Sequence, residues 1–70
     1  MNSHEQIRIG DLTKGRRVLI EINGVQVPAV FKQATTDDHG RFYKFGLGDP
    51  ETLEFMELKM NAVRKMVKLA

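Results

Sequence analysis

Two residues, Asn23 and Gly24, constrain this chain more than any others, because they lie between the apolar-rich runs Val18-Leu19-Ile20-Glu21-Ile22 and Val25-Gln26-Val27-Pro28-Ala29. Both central positions of a type I′ turn need positive φ, which Asn and Gly adopt at little steric cost. A two-residue loop fixes the register: Ile22 faces Val25, Ile20 faces Val27 and Val18 faces Ala29, six apolar side chains on one face. The other face carries Glu21 and Gln26 near the turn but Leu19, Pro28 and Val30 farther away. Burial there begins partway along, so the hairpin is expected to curl. Pro28 lacks the N–H a ladder needs and is expected at an edge, at a bulge, or where its missing N–H points away from the neighbouring strand.

Around this hairpin the remaining punctuation gives an element order. Ile7 and Ile9 alternate with Gln6 and Arg8 as in a short strand, after a loose tail over Met1–Glu5. Strand character continues through Phe31 to Thr35, and Thr36-Asp37-Asp38-His39-Gly40 reads as a turn. A further strand is expected over Arg41–Leu47, with Tyr43, Phe45 and Leu47 on one face and Phe42 and Lys44 on the other. Asp49 suits an N-cap, Pro50 a first helical position and Glu51 the positive end of a helix dipole. The expected fold class is therefore α+β: a bent antiparallel sheet of three to four strands, a small barrel-like meander over 6–48, followed by one long C-terminal helix over 50–69. Residues 6–70 form one small domain in this reading. Its expected core is Val18, Ile20, Ile22, Val25, Val27, Phe31, Phe45, Met56, Val63 and Val67.

On a helical wheel Leu53, Met56, Met60, Val63, Val67 and Ala70 make one stripe, and Phe55, Leu58, Ala62, Met66 and Leu69 a second beside it, interrupted by Lys59. Together they span an apolar arc of about 220°, more than the little over 100° that a surface helix typically hides. The second stripe packs either against the N-terminal strand and loops of the same chain or, in the leading reading, against a protein partner or a second copy of the chain, a homodimer, with Phe55, Leu58, Lys59, Ala62, Met66 and Leu69 as the interface. The leading expectation is a small non-enzymatic binding or regulatory protein acting through protein–protein contacts. The charge order along the same segment, Glu51, Glu54 and Glu57 before Lys59, Arg64, Lys65 and Lys68, reads as dipole complementarity on a solvated face.

The alternative is a small nucleic-acid-binding regulator. Arg41-Phe42-Tyr43-Lys44-Phe45 interleaves basic and aromatic residues, as a strand does when it stacks bases and grips phosphates. Lys14, Arg16, Arg17 and Lys32 would add to that basic face, and Phe42 is the aromatic that alternation places with Lys44. The bulk charge decides nothing, since 11 Lys and Arg against nine Asp and Glu leave only +2. The run Lys14-Gly15-Arg16-Arg17 ahead of a barrel-like strand set resembles the entry of a cyclic-dinucleotide-binding barrel. That family's second signature, an acidic or amide residue followed at short fixed spacing by Ser and Gly, is missing, and no family is assigned.

Other chemistries have no support in the residues. At 70 residues, ordering costs roughly 100 kcal/mol, which a core of this size only just offsets, leaving little scaffold for a catalytic cleft. No enzyme, cofactor or metal site is expected. Zero Cys removes disulfides and thiolate ligands. Asp37, Asp38 and His39 are turn residues rather than ligands, and His4 stands alone. Gly46-Leu47-Gly48 precedes Asp49 and Glu51, which would repel an anion. No apolar run approaches the ~20 residues of a membrane span, and Met1–Glu5 is too polar to open a secretory signal, so a cytoplasmic protein with no membrane partner is expected.

Overall fold

The hairpin forms as its turn chemistry requires, with Asn23 at φ 51° and Gly24 at φ 81°. The computed structural model describes residues 9–70. A short 3-10 turn, Ile9–Asp11, leads to β1 (Arg17–Ile22), β2 (Val25–Asp37) and β3 (Gly40–Leu47). After a loop come β4 (Phe55–Lys59), α1 (Met60–Met66) and β5 (Val67–Leu69). The expected strand over Ile7 and Ile9 falls mostly outside the described residues, and Ile9 itself opens the 3-10 turn.

The five strands form one antiparallel sheet in the order β4-β3-β2-β1-β5. The β1–β2 register is the one read from the turn, with Val18 opposite Ala29, Ile20 opposite Val27 and Ile22 opposite Val25. At 13 residues β2 is the longest strand, and it serves both neighbours: its first part pairs with β1 and its second with β3. Between Phe31 and Gln33 the register with β3 shifts by one, and Lys32 is the extra residue of a bulge. A bulge bends its strand and increases its twist. Here it keeps Phe31 opposite Phe45 before it and Ala34 opposite Tyr43 after it, all on the inner face.

That inner face is the core. Val18, Ile20, Ala29, Phe31, Tyr43, Phe45, Val63 and Val67 are buried, with Ile22, Met56, Leu58, Met60, Met66 and Leu69 packed against them. Phe31 meets Phe45 edge-on, centroids 5.6 Å apart, a geometry that aromatic quadrupoles favour. The helix α1 rests on β1, β3, β4 and β5 and so bridges the two edges of the sheet. Of the expected core, Val25 is instead 61% exposed at the far end of the hairpin and Val27 is half-buried outside the core cluster, while Ala29 and Tyr43, which strand alternation places on the same faces as core residues, are buried.

The long C-terminal helix is corrected. Residues 50–54 are a turn, and the expected helical span divides into strand, a seven-residue helix and strand, so the sheet has five strands rather than three to four. The physical cause is twofold. Met56 and Leu58 satisfy a two-residue period as well as belonging to the helical stripes, so both structures hide apolar side chains. Pairing then decides, because β4 satisfies the N–H and C=O groups of β3 along Phe42–Gly46, which a helix would leave at a bare edge. Intrinsic helix propensity is too weak to oppose that. Asp49 and Pro50 therefore cap nothing; their peptide bond is cis, and they sit in the β3–β4 loop.

Candidate functional site

Strand alternation decides which side chains leave the core. On the outer face Phe42 lies opposite Thr35 on one side and Lys59 on the other, and Lys44 lies opposite Gln33 and Glu57. One step further along, Arg17, Val30, Gly46 and Phe55 form a row across four strands. Two aromatic rings thus face outward, Phe42 opposite Lys59 and Phe55 opposite Gly46, with the Lys44–Glu57 pair between them, while Phe31, Tyr43 and Phe45 face inward. Phe42 is half-buried and Phe55 is 49% exposed.

Each outward ring carries a cation. The Lys44 ammonium stands 4.4 Å from the centroid of Phe55, and the Lys59 ammonium 5.5 Å from that of Phe42. A lysine within about 6 Å of a ring centroid is attracted by the ring quadrupole, a contact worth roughly 0.5–1 kcal/mol at exposed sites. The lysine stems also shield ring surface that water would otherwise meet.

Of the other cations on this face, Lys68 on β5, opposite Leu19, pairs with Glu21 at 3.8 Å, and two more are held by a loop. The bulge residue Lys32 donates to Glu51, with Nζ 3.0 Å from Oε1 and 2.7 Å from Oε2. The Glu51 carboxyl group occupies the space a Cβ at Gly46 would need. Arg17 pairs with Asp49 at 3.1 Å. Both carboxylates come from the loop between β3 and β4, whose backbone is fixed independently of them. Gly48 N–H donates to Pro28 O at 2.7 Å, Leu47 N–H to Glu54 O at 2.9 Å, and Thr52 N–H to Leu47 O at 2.7 Å. Between this loop and the outer face of β1 and β2 lies a groove of about 340 Å³ with Leu19, Pro28 and Val30 among its walls and Arg17 at its rim.

The residues singled out from the sequence separate accordingly. Arg17, Lys32, Phe42 and Lys44 share the outer face. Arg41 instead lies over the Tyr43 ring at 5.6 Å, and Lys14 and Arg16 are exposed in the turn before β1. Of the residues assigned to a helical interface, Phe55 and Lys59 lie on the outer face, Leu58, Met66 and Leu69 pack on the core, and Ala62 is half-buried in α1. They form no single stripe. Phe55 and Lys59 are the members of the outer cluster that sequence reasoning placed on a helix; the alternation Phe55-Met56-Glu57-Leu58-Lys59 is the signal that assigns them to a strand.

In the turn, His39 N–H donates to Asp37 Oδ1 at 2.7 Å, an Asx turn serving the backbone. Among the described residues no group of three or more His, Cys, Asp or Glu is placed to hold a metal ion, and no helix is long and apolar enough to cross a membrane. No protein-family model, curated protein or solved structure matches the chain.

Proposed function

We propose that this chain is a non-enzymatic binding module for single-stranded nucleic acid, with the outer face of β3 and β4 as its working surface. The observation that carries the reading is the pair of outward phenylalanines, Phe42 and Phe55, each with a lysine ammonium over its ring. Single-strand binders combine aromatic platforms with cations that follow the backbone, and stacking is worth about 1–3 kcal/mol per base. A base arriving on Phe42 or Phe55 displaces the ammonium toward the flank of the ring, where the phosphate lies. Gln33 and Thr35 extend the face with groups able to hydrogen-bond base edges. Glu57, opposite Lys44, opposes phosphate and keeps the surface only weakly basic, which favours a short contact over a long electrostatic track. Association through a C-terminal helix has lost its structural premise, because the apolar residues behind it are shared among β4, α1 and β5.

The test is titration of a short labelled oligothymidylate, followed by anisotropy at two salt concentrations about fourfold apart. Two phosphate contacts, at a slope of about 0.7 each for single strands, predict that affinity falls about sevenfold across that interval. Phe42→Ala and Phe55→Ala should each weaken binding by about 5- to 150-fold, the equivalent of one stacked base. Absence of binding at the lower salt, or indifference to both substitutions, removes the proposal.

A further inference from the structure

Five cations lie on the outer face: two rest on aromatic rings, two are engaged by carboxylates of the β3–β4 loop, and Lys68 on β5 pairs with Glu21 of β1 at 3.8 Å. Lys44 and Lys59 belong to the first kind, Arg17 and Lys32 to the second. Both carboxylates lie within three residues of one loop, at Asp49 and Glu51. We infer that Arg17 and Lys32 form a phosphodiester-binding pair, and that the loop from Gly48 to Glu54 is an internal anionic competitor for it. The inference rests on the nucleic-acid reading above.

Three features support it. A guanidinium and an ammonium that donate to carboxylate oxygens donate to phosphate oxygens in the same charge-assisted hydrogen bonds, so the present occupants report the chemistry of the ligand. The bulge at Lys32 supplies a cation at a point where regular alternation has no extra residue, and it does so on the face that holds Lys44. Finally, the seat of Glu51 requires Gly46 to be bare, since a side chain there would meet the Glu51 carboxyl group. The two pairs differ in tenacity. Arg17 and Asp49 are mostly exposed and exchange with solvent ions readily, whereas Lys32 and Glu51 are more sheltered and closer, at 2.7 Å. In the native chain the loop therefore leaves Lys44 and Lys59 as the cations offered to phosphate.

The experiment compares the wild-type chain with Asp49→Asn/Glu51→Gln, which keeps side-chain shape and the backbone bonds of the loop while releasing both cations. The control, Asp38→Asn/Glu54→Gln, removes the same formal charge from exposed carboxylates outside both ion pairs. The readout is the dependence of oligothymidylate affinity on salt. At about 0.7 per phosphate, the wild type and the control should show slopes near −1.4 and the loop variant near −2.8. Over a fourfold rise in salt, affinity should then fall about sevenfold and about fiftyfold respectively. A loop variant with the wild-type slope, or a control that steepens equally, overturns it while the binding reading stands. No binding by the wild type at the lower salt overturns both.

Discussion

The assignment of Phe42 and Phe45 to opposite faces of β3 is open to a direct comparison of Phe45→Ala with Phe42→Ala. Phe45 is wholly buried, lies opposite Phe31 and Met56 in the ladders and meets the Phe31 ring edge-on at 5.6 Å. Truncating such a ring removes its transfer energy and leaves a cavity, a loss of about 3–5 kcal/mol. A chain of 70 residues has a total stability of roughly 3.5–10 kcal/mol, so this one change removes a large part of it. Phe42 is half-buried and carries the Lys59 ammonium at 5.5 Å. Half the burial of a phenylalanine is worth about 1 kcal/mol, and the cation contact about 0.5–1 more. The expected difference between the two variants is thus about 1–3.5 kcal/mol in favour of Phe42→Ala. Urea unfolding followed by far-ultraviolet circular dichroism measures it, with the sole tyrosine, Tyr43, as a second probe. The m-value should not change, because the surface exposed on unfolding is nearly the same. Should Phe45→Ala leave no folded baseline, Phe45→Leu against Phe42→Leu preserves the order at smaller amplitude. Equal losses, or a larger loss at Phe42, would refute the register, since a slip of one residue exchanges the two faces of a strand.

Three further outcomes are expected. Gly24→Ala meets no neighbouring atom but forces a β-carbon into φ 81°, so it should cost about 1–2 kcal/mol and lower Tm by several degrees, read by thermal unfolding. Tyr43→Phe should leave stability unchanged or raise it by about 1 kcal/mol in the same urea assay, because the buried hydroxyl has no hydrogen-bond partner among the described residues. Gly46→Ala should swing the flexible Glu51 side chain away from Lys32, costing under about 1 kcal/mol of stability and steepening the salt slope for oligothymidylate by about 0.7.

How far the sequence disclosed this fold depended on the range of the interaction involved. The hairpin was legible because Asn23 and Gly24 act on their own backbone, and the six-residue register follows from them without reference to the rest of the chain. The bulge at Lys32 was legible in principle and was not read. Phe31 and Ala34 both face the core, and a separation of three is odd where a regular strand demands an even one; the two polar residues between them mark an inserted position. The fourth strand was illegible from periodicity alone, since Met56 and Leu58 suit a pleat while Met56, Met60, Val63 and Val67 suit a helix. Only the unpaired edge of β3 discriminates between these, and that edge exists only after the first three strands are in place.

The same ambiguity shows why an apolar excess on an assumed helix was a poor guide to a partner. An arc of about 220° is a property of residues laid at 100° intervals, not of the residues themselves. Divided among β4, α1 and β5, Met56, Leu58, Val63, Val67 and Leu69 all turn toward one core, and the excess largely disappears. What remains outside is selective: Leu53 and Phe55 in the C-terminal part, and of these only Phe55 lies against a cation. Alternation had already placed Phe42 and Lys44 on the outer face of β3. The missing half of the site was a second aromatic and a second lysine, supplied by a strand that the wheel had turned into a helix. Asp49 and Glu51 follow the same logic. Read as the start of a helix, they complement a dipole; placed on a loop over β1–β3, the same two charges neutralise Arg17 and Lys32 and thereby set how much of the basic face is available.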